Sequence, residues 1–265
     1  MSRGLFDLTG KVVLATGANS GIGLGFLQGC AKQGADVVVW GRRADRNAKA
    51  VAHLRELGAK RTHAEEVDVA DEAAVDAAFA STLKAMGRVD CVFANAGLSS
   101  NAPSFAEMTS KTYHDLINVN QHGAFYALRA AARHMTDRAK AGDPGGSIVA
   151  CGSLSIFHGI PAMEHYAAAK GAVAAMIKSI AAELGPIGVR ANMIAPGFIV
   201  SGFMEGAPEQ MAEGIKKHFA GLTPMGRVGE ISDIEGPAAY LASDASKFHS
   251  GDILVIDGAC SVRAP

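Results

Sequence analysis

Tyr166 and Lys170 are the two side chains in this sequence whose types and spacing point most directly to chemistry. They stand four residues apart in Tyr166-Ala167-Ala168-Ala169-Lys170, and in a helix this spacing puts both side chains on one face, about one turn apart. A phenol with a reference pKa of about 10 is a weak acid-base catalyst at neutral pH, but a nearby ammonium favours its ionised form. The pair alone fits a surface tyrosine and a solvated lysine equally well, so proton transfer needs further support.

Polar residues elsewhere in the sequence supply that support. Ser153 follows a strand pattern at Ser147 to Ala150, and the loop Asn95-Ala96-Gly97 follows another at Val89 to Ala94. Asn120 lies inside a long helical pattern. Because parallel strands present their carboxyl ends at one edge of a sheet, we expect these polar groups to gather there with Tyr166 and Lys170.

A glycine-rich loop predicts an anion site at the same edge. Thr16-Gly17-Ala18-Asn19-Ser20-Gly21-Ile22-Gly23 follows the apolar strand Val12 to Ala15 and opens a helix, which is the context of a dinucleotide pyrophosphate site. Gly17 permits the tight turn, Gly21 lets the backbone approach phosphate, and Gly23 lets the helix lie close to the strand. The free amides of that helix then face the anion. An ordinary strand-to-helix turn is the alternative, and it is disfavoured at the first junction of a long series.

The end of the second strand bears on the choice of dinucleotide. Val37-Val38-Val39-Trp40 runs into Gly41-Arg42-Arg43, where a residue that reads the adenosine ribose is expected. An acidic residue there would accept from the 2′-hydroxyl, whereas arginine offers a charged fork for a 2′-phosphate. The sequence therefore favours NADP(H) and leaves NAD(H) possible, with a solvated flank of the next helix as the alternative role for Arg42 and Arg43.

The elements that must position these residues alternate along the chain. Short β-branched runs alternate with longer Ala-rich helical patterns, as in consecutive βαβ units. Near-continuous apolar strands indicate that helices cover both faces. The prediction is an α/β, Rossmann-type, doubly wound sheet of about seven parallel strands, forming one domain over residues 1–265. The predicted strands are Val12 to Ala15, Asp36 to Trp40, His63 to Val67, Val89 to Ala94, Ser147 to Ala150, Val189 to Ile194 and Ile253 to Ile256, and the predicted helices are Ile22 to Gln33, Arg46 to Leu57, Glu72 to Met86, Lys111 to Lys140, Glu164 to Leu184 and Ile231 to Ser243.

The amino-acid composition limits the classes of partner that we expect this chain to bind. With 49% hydrophobic and 19% charged residues, the chain has enough apolar material for a doubly covered sheet. A formal net charge of -1 gives no electrostatic reason to expect nucleic acid or an anionic membrane as partner. The four cysteines show neither metal-ligand spacing nor a disulfide framework, and no apolar run is long enough to cross a membrane. We therefore expect a cytoplasmic chain with no metal, no membrane partner and a small-molecule substrate.

Taken together, these features resemble the short-chain dehydrogenase/reductase family, in its short single-domain branch, over nearly the whole chain. The resemblance is carried by Thr16 to Gly23, Asp68, Asn95 to Gly97, Asn120, Ser153, Tyr166, Lys170, Pro196-Gly197 and Asp257-Gly258. Tyr166 is thirteen positions after Ser153, and Lys170 is four positions after Tyr166. The joint spacing is far more specific than any single motif.

The resemblance implies a role for each matching residue. Tyr166 exchanges a proton with the substrate oxygen, Ser153 hydrogen-bonds that oxygen, Lys170 binds the nicotinamide ribose, and Asn120 holds a water that links Lys170 to solvent. Asp68 contacts the adenine, Asn95 the adenosine ribose region, and the segment from Pro196 to Ser201 the carboxamide. The expected cofactor contacts are Gly17, Asn19, Ser20, Gly21, Ile22, Gly23, Arg42, Arg43, Asp68, Val69, Asn95, Ala96, Gly97, Tyr166, Lys170, Pro196, Gly197, Ile199 and Ser201. The implied assembly is a homo-oligomer, expected as a tetramer.

Two departures from the family pattern are visible. Ser201 stands where threonine is usual, which keeps the hydroxyl. Ala259 replaces the second glycine of Asp-Gly-Gly and tolerates a positive φ less readily than glycine does, so the tail is predicted to take a different course.

The sequence says less about which residues contact the substrate. Residues 198–226 are rich in Phe, Met and Gly, which predicts a substrate lid, although an ordinary packed helix explains them equally well. His158 and His165 fit packing or surface roles better than catalysis.

Two alternative functions stay open. Arg129, Arg133 and Arg138 could face an acidic carrier protein, which keeps a 3-oxoacyl-(acyl-carrier-protein) reductase as the runner-up to a general carbonyl or secondary-alcohol oxidoreductase. A non-catalytic cofactor sensor is more remote, because it has no need for Ser153, Tyr166 and Lys170 together.

Overall fold

Seven parallel strands form the central sheet of the computed structural model, which describes residues 4–201 and 208–262. The spatial order is β3-β2-β1-β4-β5-β6-β7, so the chain starts in the middle of the sheet and winds outward in both directions. This is the doubly wound Rossmann topology that the sequence predicts. The strands are β1 Val12–Thr16, β2 Asp36–Gly41, β3 Thr62–Glu66, β4 Cys91–Ala94, β5 Gly146–Cys151, β6 Val189–Pro196 and β7 Ile253–Ile256.

Helices cover both faces of the sheet. They are α1 Gly21–Lys32, α2 Ala44–Glu56, α3 Glu72–Met86, α4 Ser110–Ile117, α5 Gly123–Lys140, α6 Glu164–Leu184, α7 Glu209–Leu222 and α8 Ser232–Ala242. One core lies between the sheet and α1, α2 and α8, and a second lies between the sheet and α3, α5 and α6. The fully buried β1, with side chains in both cores, shows why the central strands read as unbroken apolar runs.

The helical pattern over Lys111 to Lys140 predicts one continuous helix, and this prediction is wrong in one respect. A π-helical turn at Asn118–His122 separates α4 from α5. A π-turn inserts one extra residue into the helical ladder, and nothing in the helical pattern over this segment marks its place.

The predicted lid is partly described. Residues 202–207, which include Phe203 and Met204, lie outside the described part of the chain. The remainder contains α7, which has no buried residue. The rings of Phe198 and Phe219 stack with centroids 4.0 Å apart, which attaches α7 to the segment after β6. Whether 198–226 acts as a lid stays a prediction.

Ala259 lies in a turn near the C-terminal end of the described chain. It adopts φ 71°, in the left-handed region that alanine tolerates less readily than glycine does. Whether the tail takes a different course stays a prediction. The carboxylate of Asp257 holds the turn, since Oδ1 accepts from the amide of Ala259 at 2.9 Å and Oδ2 from the amide of Ser261 at 2.7 Å. Two local hydrogen bonds thus offset the strain at Ala259.

A charged cluster anchors the edge of the sheet opposite the strand carboxyl ends. Asp90, with a side chain 7% exposed, accepts from the amide of Val12 at 2.9 Å and from Arg88 Nη2 at 2.6 Å. Arg138 lies 3.5 Å from the same carboxylate and donates to the carbonyl of Val89 at 3.1 Å. The cluster ties the starts of β1 and β4 to the end of α5.

None of the helices within residues 4–201 and 208–262 is both long and apolar enough to span a membrane.

Candidate active site

A cleft of about 710 Å³ opens at the carboxyl ends of the strands, the edge at which the sequence places the polar residues. Most of the predicted site residues line it. Its walls are formed by Gly17, Asn19, Ser20, Ile22, Gly41, Arg42, Arg43, Val67, Asp68, Val69, Asn95, Ala96, Gly97, Leu98, Ser99, Val119, Cys151, Tyr166, Lys170 and Ser201.

The glycine loop between β1 and α1 has no room for a side chain at Gly17 and Gly23. Gly17 has φ 61°, and a Cβ added there would lie 2.8 Å from the Cα of Ala96. A Cβ on Gly23 would lie 2.4 Å from Asn95 Nδ2 and 2.6 Å from the carbonyl oxygen of Gly17. Ser20 precedes α1 in an extended conformation, and its side chain makes no capping hydrogen bond. The first amides of α1 are thus left for a ligand at the cleft.

Asn95 and Thr16 brace this loop against β4. Asn95 Nδ2 donates to the carbonyl oxygens of Thr16 and Gly17 at 3.0 and 3.2 Å. In return, the Thr16 hydroxyl accepts from the amides of Asn95 and Ala96 at 3.0 and 2.9 Å. Both N–H groups of the Asn95 side chain are therefore used in hydrogen bonds that hold the loop.

A second brace, which the sequence analysis missed, lies at the end of β2. Asn47 is almost fully buried, and its Nδ2 donates to the carbonyl oxygens of Gly41 and Glu65 at 2.9 Å each. Its Oδ1 accepts from Asn19 Nδ2 at 2.8 Å. Asn47 thus joins the glycine loop to β2 and β3. It stands in a polar helix, and no sequence signal separates it from a solvated asparagine.

Arg42 and Arg43 lie at the mouth of the cleft beside this brace, and both are exposed. Within the described part of the chain, neither guanidinium forms an ion pair or a hydrogen bond. Asp68 follows β3, the strand next to β2, and its Oδ1 accepts from the amide of Ala70 at 3.0 Å. The cleft therefore has two free cations at the end of β2, with Asp68 and Val69 after the neighbouring strand.

The Tyr166 and Lys170 pair projects from the first turns of α6 into the same cleft. Lys170 is 5% exposed, and its Nζ donates to the carbonyl oxygen of Cys151 at 2.7 Å. The same Nζ lies 5.7 Å from the centroid of the Tyr166 ring. The Tyr166 hydroxyl forms no hydrogen bond with any described residue. A buried, oriented ammonium therefore stands beside a free phenol.

Ser153 and Asn120 lie next to the cleft and do not line it. The Ser153 hydroxyl accepts from the amide of Ser155 at 3.1 Å, which leaves its own proton available for donation. Asn120, on the π-turn, receives the amide of Leu98 on Oδ1 at 2.7 Å and donates from Nδ2 to the Leu98 carbonyl at 2.8 Å. Its side chain thus holds the loop after β4.

Other predicted cofactor residues also lie off the cleft wall. Gly21 and Gly23 shape the glycine loop, and Pro196 ends β6. Gly197 and Ile199 line a separate cavity of about 160 Å³ that is also bounded by Asp257 and Gly258. Several residues of the cleft wall were not predicted from the sequence, namely Gly41, Val67, Leu98, Ser99, Val119 and Cys151.

Cys151 is a buried thiol at the cleft. Burial raises the pKa of Cys151, and the charge of Lys170 opposes this effect in part. The thiol is therefore held in its protonated, weakly reactive form. Among residues 4–201 and 208–262, no group of three or more His, Cys, Asp and Glu side chains is arranged to hold a metal ion.

A glycine loop at the first βα junction and an inward-facing tyrosine and lysine, on a doubly wound sheet, define a dinucleotide-dependent oxidoreductase. The family profile described as "Enoyl-(Acyl carrier protein) reductase" matches residues 17–260. The chain belongs to the short-chain dehydrogenase/reductase family and is an oxidoreductase acting on CH-OH or C=O groups.

Curated relatives and solved structures extend over nearly the whole chain. A gluconate 5-dehydrogenase of Gluconobacter oxydans is 35% identical over 260 residues, which cover 97% of each protein. The 3-oxoacyl-(acyl-carrier-protein) reductase MabA of Mycobacterium bovis is 35% identical and covers 94% of this chain and 92% of its own. A gluconate 5-dehydrogenase from Burkholderia cenocepacia, solved with NADP and tartrate, has a TM-score of 0.88 and 32% identity, covering 98% of both chains.

Proposed function

We propose that this oxidoreductase transfers hydride between NADP(H) and a small carbonyl or secondary-alcohol substrate, with Tyr166 as the proton-transfer residue. The observation that carries the proposal is that Tyr166 and Lys170 line the same cleft as the glycine loop and the free arginines. One site thus contains groups for phosphate recognition at one end and for proton transfer at the other.

The residues of the cleft fit a dinucleotide. At Gly17, an added Cβ would fall into the backbone of Ala96, so the loop is as closely packed as a phosphate cradle requires. The uncapped N-terminus of α1 adds free amides and the positive end of the helix dipole. We assign Gly17, Asn19, Ser20 and Ile22 to the pyrophosphate, with Gly21 and Gly23 shaping the loop.

NADP(H) is favoured over NAD(H) by the charge at the end of β2. Arg42 and Arg43 have no acidic partner among the described residues, and β2 ends without the carboxylate that would accept from a ribose 2′-hydroxyl. Burying a phosphate against two unpaired guanidinium groups gives charge-assisted hydrogen bonds. We assign Asp68 and Val69 to the adenine, and Asn95, Ala96 and Gly97 to the adenosine ribose region. Binding of NADP by the Burkholderia cenocepacia relative is consistent with this choice.

The residues at the other end of the cleft are proposed to carry out proton transfer. The nicotinamide ring, when bound, supplies or accepts the hydride. In the direction of reduction, the Tyr166 hydroxyl donates its proton to the substrate oxygen, and in oxidation the phenolate accepts it. Lys170, fixed by the carbonyl of Cys151, places its ammonium 5.7 Å from the centre of the Tyr166 ring. The free proton of Ser153 is available to hydrogen-bond the substrate oxygen.

Asn120 is proposed to support proton exchange with solvent by holding a water near Lys170. Its side-chain amide is engaged with Leu98. We assign the contact with the water to the Asn120 backbone in the π-turn, where the helical hydrogen-bond pattern is altered. The segment from Pro196 to Ser201 is proposed to contact the carboxamide, with Ser201 on the cleft wall.

The substrate enters between the proposed lid, residues 198–226, and the loop after β4. The stacked rings of Phe198 and Phe219 attach α7 to the body, and no α7 residue is buried, which suits a segment that opens and closes. Two relatives named for gluconate oxidation make sugar acids the first compounds to try in a panel of ketones and alcohols.

A carrier-protein substrate is not favoured by the α5 arginines. Arg129 pairs with Glu72, Arg133 lies 3.9 Å from Asp76, and Arg138 donates to Asp143 at 2.8 Å. These cations are already neutralised within the chain, which weakens their attraction for an acidic partner. A cofactor sensor would have no use for the buried Lys170 beside a free phenol.

The chain is proposed to assemble as a homotetramer. Among the described strands, β7 pairs with β6 alone, and its residues are all half-buried. Phe248, just before β7, is 103% exposed relative to its reference. An open sheet edge beside an exposed aromatic ring suits a two-fold contact with a second copy. The buried thiols of Cys30, Cys91 and Cys151 suit a reducing compartment such as the cytoplasm.

Replacing Tyr166 by phenylalanine tests the proton-transfer role. Tyr166→Phe removes the hydroxyl and keeps the ring, so kcat should fall by about 10² to 10⁴-fold while NADPH binding is retained. Turnover of a ketone with NADPH and the fluorescence titration of NADPH measure the two quantities. A variant that keeps most of its kcat would exclude Tyr166 as the proton donor.

A further inference from the structure

The segment 98–102 crosses the catalytic side of the cleft and is fixed at three points by different elements. Asn120 binds both the amide and the carbonyl of Leu98. The Ser100 hydroxyl lies 3.0 Å from His165 Nε2, and the amide of Ala102 donates to the carbonyl of Ala162 at 3.0 Å. Between the first two contacts, Ser99 lines the cleft. These contacts connect segment 98–102 to the π-turn that carries Asn120 and to the start of α6, which carries Tyr166.

His165, next to Tyr166 in the first turn of α6, is fully buried with 0% exposure. Its contact with Ser100 is the one hydrogen bond of its ring in the described part of the chain, and Nδ1 is buried without a partner. Leaving a buried nitrogen unpaired costs free energy that an apolar ring would avoid. The hydrogen bond to Ser100 is therefore the interaction that a histidine makes at this buried position and an apolar ring would not.

The backbone next to His165 is held in a strained conformation by the same contacts. Ala162 adopts φ 64°, which is unfavourable for a residue with a Cβ. Its carbonyl accepts from Ala102, and its amide donates to Glu164 Oε1 at 3.2 Å. Strain of this kind persists only where the surroundings fix it. The junction between segment 98–102 and the start of α6 is therefore a rigid one.

We propose that His165 is a positioning residue for the reaction: through Ser100 it locks segment 98–102 to the first turn of α6, and so fixes Tyr166 relative to the facing wall of the cleft. Leu98 and Ser99 on that wall and Tyr166 on α6 then keep one separation when substrate binds. The proposal rests on the assignment of Tyr166 as the proton-transfer residue. Catalysis is sensitive to such separations, because small displacements of a reacting group lower the rate steeply.

Two amide replacements of His165 separate this role from simple filling of space. In His165→Gln the side-chain amide reaches about as far as Nε2 and can keep the bond to Ser100. In His165→Asn the amide ends near the position of Nδ1 and loses that bond. Ser100→Ala breaks the bond from the exposed side, where the substitution leaves the core unchanged.

We expect Ser100→Ala and His165→Asn each to lower kcat for ketone reduction by about fivefold to twentyfold, with the Kd of NADPH within twofold of the wild type. His165→Gln should recover most of kcat. The double variant Ser100→Ala/His165→Asn should be no slower than His165→Asn alone, because both changes remove the same hydrogen bond, the one between Ser100 and His165. Thermal midpoints, measured in parallel, report on folding.

Three outcomes would overturn the proposal: an unchanged kcat in Ser100→Ala, equal losses in the Gln and Asn variants, or losses that multiply in the double variant. Each would mean that His165 fills space without positioning Tyr166. If Tyr166→Phe retained turnover, the proposed function would fail instead, whatever the His165 variants showed.

Discussion

At the scale of single residues, the chemistry of the site rests on a few side chains whose types limit what they can do. Lys170 is a buried cation with one backbone acceptor, and Tyr166 offers a free hydroxyl beside it. Arg42 and Arg43 are cations with no partner in the described chain. A charge left unpaired at a cleft is better explained by a ligand than by folding.

Arg42→Ala should separate the two dinucleotides. Loss of a charge-assisted contact to the 2′-phosphate should raise the Kd of NADPH about tenfold or more, since such bonds contribute roughly 1.5 to 3 kcal/mol. The Kd of NADH should change less than twofold. Fluorescence titration with both cofactors measures this.

Arg55→Ala is the matched control for Arg42→Ala. It removes the same charge from α2, where Arg55 bonds Thr62 away from the cleft, so both affinities should stay as in the wild type. Equal effects of Arg42→Ala on NADPH and NADH would mean that Arg42 does not read the 2′-phosphate.

Sequence reasoning finds residues whose partners are near in the chain and misses those whose partners are distant. The Tyr166 and Lys170 spacing is visible because one helix carries both. Asn47 and His165 could not be identified as braces, because Asn19 is 28 residues from Asn47 and Ser100 is 65 residues from His165. Such contacts exist only once the sheet brings the loops together.

At the scale of elements, the inner strands were predictable because burial on two faces requires unbroken apolar runs, whereas the edge strand β3 is polar and only partly buried. The π-turn at Asn118–His122 and the helix α7 were not predictable. No residue type in Asn118–His122 marks the π-turn, and α7 buries nothing that would mark an inner face. The sequence therefore predicts the scaffold well and the segments around the substrate poorly.

The contact between α1 and the glycine loop should be intolerant of even one methyl group. In Gly23→Ala the added Cβ would overlap Asn95 Nδ2 and the carbonyl of Gly17. We expect a loss of about 1 to 3 kcal/mol in the free energy of unfolding, together with weaker NADPH binding. Urea unfolding and cofactor titration measure the two effects.

Gly171→Ala provides the matched control for Gly23→Ala. A Cβ at Gly171, inside α6, meets no atom within 4 Å. Alanine is the better helix former, so this change should raise stability by about 0.5 to 1 kcal/mol. If both substitutions had the same effect, close packing at Gly23 would not be the reason for its glycine.

At the scale of the whole molecule, the two ends of the sheet have separate tasks. The carboxyl ends of the strands form the cleft, and the opposite edge is held by the cluster around Asp90. Binding residues and anchoring residues thus lie on opposite edges of one sheet, which allows stability and cofactor affinity to be altered independently.

Asp90→Ala tests this separation. It leaves the amide of Val12 without its acceptor and Arg88 without its carboxylate partner, whereas Arg138 keeps Asp143, and a buried group left unsatisfied costs about 1 to 3 kcal/mol. Urea unfolding should show a loss of this size, whereas the NADPH affinity of the folded protein should match the wild type. A changed Kd would show that the two edges are coupled.

The hydrogen bond from Lys170 to the carbonyl of Cys151 has a thermodynamic consequence for cofactor binding. A free lysine side chain has about 2 kcal/mol of rotamer entropy, and here that freedom is already lost when the chain folds. In the proposed complex, the ribose at the cleft would meet an ammonium that needs no further ordering. The entropy cost of aligning Lys170 then belongs to folding and does not reduce the proposed dinucleotide affinity.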